Sequence, residues 1–172
     1  MKRTSLKLII ATVLITSLFS VKSNAQEIKL GGGLIIATDR PPLGLQFKGT
    51  YGMDMMLENL SGSLEFAVLF PASQGNYDYN RWTLDVDGNY VFWKAANFDF
   101  YGIAGLNISH YSAKYTGGFP GNNDVVGTKP GLNAGAGVNF GFSANMSAYS
   151  EVKYILSNYN QSVFNIGVLF EL

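Results

Sequence analysis

The sequence predicts an all-β protein, an eight-stranded antiparallel up-and-down transmembrane β-barrel. Three observations predict it. Apolar and polar residues alternate with period two over eight segments, which sends the two sets to opposite faces of a strand and would scatter them around a helix. The segments run about 8 to 13 residues, and a tilted strand needs roughly 9–11 to cross a bilayer. The apolar face carries no Asp, Glu, Lys or Arg in any of them.

Taken in order, segment 28–37 opens the series with modest contrast. In 43–51, Leu43, Leu45, Phe47 and Tyr51 alternate with Gln46, Lys48 and Thr50. In 64–70, Leu64, Phe66, Val68 and Phe70 stand against Glu65 and Ala67. Segment 82–93 (WTLDVDGNYVFW) is the clearest: Trp82, Leu84, Val86, Tyr90 and Phe92 alternate with Thr83, Asp85, Asp87 and Asn89. Segment 98–110 has less contrast. In 132–142, Leu132, Ala134, Ala136, Val138, Phe140 and Phe142 oppose Asn133, Gly135, Gly137, Asn139 and Gly141. Segment 147–156 again has less contrast, and the last strand sets Phe164, Ile166, Val168, Phe170 and Leu172 against Asn165, Gly167 and Glu171.

The connections alternate in character. Segments 38–42, 71–80, 111–130 and 157–161 fall at one end of the hairpins, two of them long and polar. Segments 53–60, 94–97 and 143–146 fall at the other, and the last two are tight. Long outside loops and short periplasmic turns are the pattern of an outer-membrane barrel. Segment 53–60 (MDMMLENL) is the misfit, longer than a tight turn and readable as one turn of helix. Closing such a barrel pairs the first strand with the last, which brings Lys29 toward Glu171 at the periplasmic rim.

Residues 1–25 read as a secretory signal peptide. Lys2, Arg3 and Lys7 precede the twelve-residue apolar run Leu8 to Phe19, and Ser23-Asn24-Ala25 offers small residues for cleavage before Gln26. Twelve helical residues reach only about 18 Å, short of a ~30 Å hydrocarbon core, which argues against a membrane anchor. Cleavage removes Lys2, Arg3, Lys7 and Lys22 and no acid, so residues 26–172, the barrel domain, carry 8 basic and 12 acidic side chains, a net of −4.

Composition narrows the function classes. The 172-residue chain has 12 Lys+Arg, 12 Asp+Glu, one His and no Cys, and only 14% of its residues are charged. Without cysteine there is no disulfide framework, thiolate metal site or thiol nucleophile. Balanced charge removes the basic face that nucleic-acid binding needs. The polar strand face is largely small (Gly31, Gly33, Gly44, Gly105, Asn107, Gly135, Gly137, Asn139 and Gly167), which suits the narrow inside of an eight-stranded barrel better than a solvated surface. Aromatics gather at the segment ends: Tyr51, Tyr90, Phe92, Phe98, Phe100, Phe140, Phe142 and Phe170 at one end, Phe70, Trp82, Tyr111 and Phe164 at the other. Two such girdles match the two interfaces of a bilayer.

The Phe70-Pro71 strand ending and the runs YGIAGLNIS (Tyr101 to Ser109), LNAGAGVNF (Leu132 to Phe140) and FNIGVLFEL (Phe164 to Leu172) resemble the small porin-like outer-membrane barrels common in Bacteroidetes. Those are similar in architecture to the transmembrane domain of OmpA and to OmpX. The resemblance spans essentially all of residues 26–172 and implies a location in the outer membrane of a Gram-negative cell. It implies contact with outer-membrane lipids and lipopolysaccharide, and with the barrel-assembly machinery during insertion. Members usually end on an aromatic residue; this chain ends Phe170-Glu171-Leu172, a departure in the insertion signal. With the sequence closing on this strand, no peptidoglycan-anchoring domain is expected behind it.

Six charges on the polar face are candidates for a lumen network: Lys48, Glu65, Asp85, Asp87, Glu151 and Lys153. In a narrow, poorly solvated lumen they must pair or reach water, which points first to an ion-pair plug and second to a narrow ion or small-solute channel. Tyr77, Tyr79, Tyr115 and Phe119, in loops 71–80 and 111–130, are candidates for recognition of a surface partner. His110 lies beside Ser109 and Ser112, with Asp124 in the following loop. A lipid-modifying enzyme needs a base oriented by a third group next to its serine, and the sequence does not place one. No metal-ligand spacing and no cofactor motif occur. The expectation is a non-enzymatic outer-membrane barrel with a structural or surface-interaction role.

Overall fold

The computed structural model describes residues 27–172 apart from 55, 118–123 and 159. The signal peptide read over residues 1–25, and Phe119, lie outside the described residues. The chain forms a closed antiparallel barrel of eight strands in sequence order. They are β1 (Ile28–Ala37), β2 (Leu43–Gly52), β3 (Leu60–Gln74), β4 (Tyr77–Ala95), β5 (Phe98–Tyr115), β6 (Val125–Ser143), β7 (Met146–Leu156) and β8 (Gln161–Glu171). The ring is completed where β1 pairs β8, from Lys29 opposite Glu171 to Ala37 opposite Val163.

Alternation sorts the side chains by face. Leu30, Leu34 and Ile36 of β1 are exposed while Ile35 and Ala37 are buried. In β4, Val86 is 54% exposed, whereas Asp85 and Asp87 are 4% and 3% exposed. Carboxylates therefore face the axis and the aliphatic and aromatic residues form the outer wall, the reverse of a water-soluble barrel. The outer rings pair across strands: Phe98 with Phe140 at 4.7 Å, Trp93 with Phe100 at 4.8 Å, and Trp82 with His110 at 5.3 Å between ring centroids.

Strand lengths depart from the sequence expectation. β1, β2, β7 and β8 have 10, 10, 11 and 11 residues, about one bilayer crossing. β3 to β6 have 15, 19, 18 and 19. Their surplus lies mainly at the end away from the termini, where segments 71–80 and 111–130 were expected to be loops. Tyr77 and Tyr79 are thus strand residues of β4, and Tyr115 closes β5. The β3–β4 connection shrinks to Gly75-Asn76, with Gly75 at φ 59°, a conformation that suits glycine. The outer face of this extension carries Asn80, Lys114 and Thr128, all exposed. Polar residues there break the period-two contrast, so the sequence pattern fades while pairing continues. In segment 53–60, residues 54 and 56–59 form turns and a bend, with Met56 N–H and Leu57 N–H donating to the Met53 carbonyl, and Leu60 already opens β3.

A register shift between Val91 and Trp93 in β4 turns both Phe92 (62% exposed) and Trp93 (58% exposed) outward. Strict alternation would have sent Trp93 inward. Inside, glycines make room for two large rings. A Cβ on Gly137 would lie 2.6 Å from Tyr101 Oη, and one on Gly33 2.8 Å from Tyr149 Oη. A Cβ on Gly167 would meet the Tyr149 ring at 2.7 Å and the Gly32 carbonyl. Gly167→Val should therefore cost about 1–3 kcal/mol by overpacking, read as a lower urea midpoint for unfolding in lipid vesicles, while Gly102→Ala, which meets nothing within 4 Å, should leave the midpoint unchanged.

Candidate functional site

The middle of the lumen is ionic. Lys48 from β2, Glu65 from β3, Asp85 and Asp87 from β4, and Glu151 and Lys153 from β7 converge there, each no more than 4% exposed. In-register pairing sets the layer: Lys48 opposes Glu65, and Glu65 opposes Asp85. Lys153 Nζ lies 2.6 Å from Glu65 Oε2, 3.1 Å from Asp87 Oδ2 and 3.4 Å from Asp85 Oδ2. Lys48 Nζ lies 2.9 Å from Glu65 Oε1 and pairs also with Glu151. Glu65 thus bridges the two ammonium groups. The structure brings all six sequence candidates into one network.

Neutral side chains complete it. Gln46 donates to Glu65. Tyr101 Oη donates to Glu151 at 2.8 Å. Asp85 Oδ1 accepts from Asn107 at 2.6 Å and from Asn133 at 2.9 Å, and Asn133 also reaches Asp87 Oδ1 at 2.7 Å. The Tyr149 ring lies 4.9 Å below Lys48 Nζ, a cation–π contact. Each buried charge therefore has a charged partner and hydrogen bonds, the condition for keeping ions in a dry interior. Sequence reasoning missed the two tyrosines and three amides; their inward parity was readable, but ring size gave no reason to place Tyr101 and Tyr149 inside.

The network divides the lumen. On the terminal side is a cavity of about 130 Å³ lined in part by Lys29, Lys48, Lys94, Asp99 and Tyr101. At its rim Lys29 pairs with Glu27 and lies 3.9 Å from Glu171. Partial burial works to raise the Glu27 carboxyl pKa, but hydrogen bonds and the Lys29 charge outweigh it and hold the group below its ordinary range. On the opposite side, an apolar cluster of Ile35, Ala37, Ala67, Leu69, Ile155 and Val163 packs inside the wall. Beyond it opens a larger cavity of about 530 Å³, bordered by Arg81, Ser109, Tyr111 and Lys129.

The recognition candidates divide. Tyr77 and Tyr79 line this larger cavity, and Tyr115 meets Tyr77 edge-on at 5.3 Å. Tyr111, expected in the outer girdle, faces the cavity instead because it shares the inward parity of Asn107 and Ser109. His110 takes the other face: its ring stacks on Trp82 and its Nδ1 lies 2.9 Å from Thr128 Oγ1. Ser109 hydrogen-bonds Asn107 inside, and Asp124 accepts from the Tyr115 backbone N–H. The Ser109, His110 and Asp124 side chains are thus held by separate partners rather than as a nucleophile, base and orienting acid. Among the described residues, no group of three or more His, Asp or Glu is placed to hold a metal ion.

No family model matches the sequence, and no curated protein matches it. Solved structures do share the fold. A major outer membrane protein from Thermus thermophilus aligns with TM-score 0.67 at 10% identity, over 87% of this chain and 100% of that one. Neisserial surface protein A aligns with TM-score 0.61 at 15% identity, over 86% and 97%. Ail, the attachment invasion locus protein of Yersinia pestis, in complex with the heparin analogue sucrose octasulfate, aligns with TM-score 0.59 at 17% identity, over 86% and 97%. The fold of this chain is that of the small outer-membrane β-barrels.

Removing one member of the lumen network leaves its partners charged, buried and unpaired. Lys153→Met should destabilise the barrel by about 3–5 kcal/mol, measured by urea unfolding in vesicles. The triple change Lys153→Met, Asp85→Asn, Asp87→Asn should recover a substantial part of that loss.

Proposed function

We propose that the protein is an integral barrel of a Gram-negative outer membrane whose role is carried by its surface-facing end rather than by passage through the lumen. One observation carries the membrane assignment: every described charge in the middle of the strands faces the axis, while Leu45, Phe47, Leu64, Val86, Leu106 and Val152 form an exposed apolar belt. Water would make that belt costly, and acyl chains make it favourable. The ionic network packs the middle of the barrel, so transport of sugars or larger solutes has no path. The extension of β3 to β6 supplies the surface role. From Trp82 to Tyr77 the chain runs about 17 Å along β4 at ~3.4 Å per residue, past the girdle and into the space outside.

The fold neighbours support this reading. Two of them are named for surface roles, the Neisserial surface protein and the Yersinia attachment protein. A rigid barrel presenting extended hairpins is a scaffold suited to contact with another surface.

The absence of cysteine makes the orientation directly testable. Single Lys114→Cys, in the β5 extension, should react with a membrane-impermeant maleimide on intact cells; Asn145→Cys, in the opposite β6–β7 turn, should react only after lysis. Labelling of Asn145→Cys alone on intact cells would overturn the orientation. Val86→Arg should cost about 2–4 kcal/mol in bilayer-folded stability, and recovery of the wild-type protein in the periplasm without detergent would overturn the membrane assignment. In planar bilayers the wild-type barrel should show no steady single-channel conductance.

A further inference from the structure

The larger cavity has a composition that neither packing nor the lumen network requires. Its floor and wall carry Arg81 of β4, 6% exposed, whose contacts among the described residues are loose: Ser109 Oγ at 3.4 Å and Asp39 at 3.9 Å. A guanidinium has five N–H donors in a planar fork that matches a phosphate or carboxylate. Across the cup, Gln161 is 4% exposed and its Oε1 has no hydrogen-bond partner among the described residues. Lys129 Nζ lies 5.0 Å over the Tyr111 ring, and Arg40 stands at the lip. Among the described residues that line the cavity, Arg81, Lys129 and Arg40 are cationic and Asp39 is the one carboxylate, with the Asp85 charge below also acting on Arg81. Three tyrosines, Tyr77, Tyr79 and Tyr111, supply aromatic walls. Gly127 makes room for one of them, since a Cβ there would lie 2.6 Å from Tyr111 Oη.

We propose that this cup binds an acidic sugar, a saccharide ring bearing a phosphate group. The volume of about 530 Å³ falls within the ~300–1,000 Å³ of small-molecule sites, where apolar walls and a few placed polar groups fix the ligand. The phosphate takes the Arg81 fork with Lys129 beside it. The ring lies between tyrosine faces, and its hydroxyls reach Gln161 and Ser109. Charge below the cup sets the direction of the site. The network beneath holds two ammonium groups, Lys48 and Lys153, against four carboxylates, Glu65, Asp85, Asp87 and Glu151. An anion is attracted to the mouth and repelled from the middle, so the cup is a place of binding and not the entrance to a pathway. The proposal goes beyond a surface role by assigning a ligand. It rests on the proposed orientation only for which side of the membrane supplies that ligand.

Calorimetric titration of the detergent-solubilised barrel tests it, with glucose 6-phosphate, glucose and inorganic phosphate as probes. Glucose 6-phosphate should bind at least about tenfold more tightly than either fragment, the scale of one charge-assisted hydrogen bond. Arg81→Gln should weaken it by about tenfold or more, and Arg81→Lys should recover only part of the loss because the fork is gone. Tyr111→Ala and Lys129→Gln test the same cup should Arg81→Gln fail to show the heat-modifiable mobility of a folded barrel. Lys94→Gln, at the other cavity, should leave binding unchanged. Competition by lipopolysaccharide with a phosphorylated core, absent after its dephosphorylation, identifies a lipid headgroup as the source; binding without that competition identifies a free solute. Absence of binding by every phosphorylated probe, or equal binding by wild type and Arg81→Gln, overturns the proposal. Because the titration does not depend on orientation, its failure and a failure of the cysteine labelling are separate results.

Discussion

Closure of the ladder between β1 and β8 is the constraint on which the rest of the structure depends. A closed antiparallel ring satisfies the backbone donors and acceptors around the common span of the wall, while β3 beyond Leu69 and β6 before Leu132 run past β2 and β7. It also leaves each strand residue only two environments, outside or axis. Once one residue of a strand is assigned, its neighbours follow by parity until a bulge or the end of pairing intervenes. The separation of Val86 from Asp85 and Asp87 is a consequence of that geometry, as is the gathering of charges from four different strands at one level of the lumen.

The interior illustrates how an eight-stranded barrel fills itself. Its radius leaves room for side chains and little more, so bulky groups on one strand require small groups opposite. Tyr101 lies against Gly137, and Tyr149 against Gly33 and Gly167. The charges are held by reciprocity: Glu65 serves both lysines, Lys153 serves three carboxylates, and amides of Asn107 and Asn133 donate to Asp85 and Asp87. Such an arrangement adds little net stability over well-packed apolar residues of the same volume, because desolvation offsets the attraction. Its clearer effect is to fix which side chains meet, because any slip of register would strand a charge.

Much of this was legible in the sequence, for a physical reason. Lipid on one side and a narrow polar lumen on the other impose opposite chemistry on successive residues, so strand identity, facing and the six lumen charges could be read from alternation. The reading weakened wherever that contrast stopped. Beyond the bilayer both faces of β3 to β6 tolerate polar residues such as Asn80 and Thr128, so paired strand resembled loop. The shift at Val91 and Trp93 reversed parity without a glycine or proline to announce it. Tyr111 looked like a girdle residue because aromatics collect at interfaces, yet parity had already assigned it inward. The cup drew its residues from β4, β5, β6 and β8 and from the β1–β2 turn, and no local motif joins them.

The unequal strand lengths have one further consequence. Four long neighbouring strands and four short ones make a cylinder cut on the slant, high along β3 to β6 and low where the β7–β8 and β1–β2 turns meet. Thr38, Asp39, Ser157 and Gln161 border the cavity on that low side. Its opening is therefore tipped sideways, over a low sill on the β7–β8 and β1–β2 side, with a raised screen along β3 to β6 opposite.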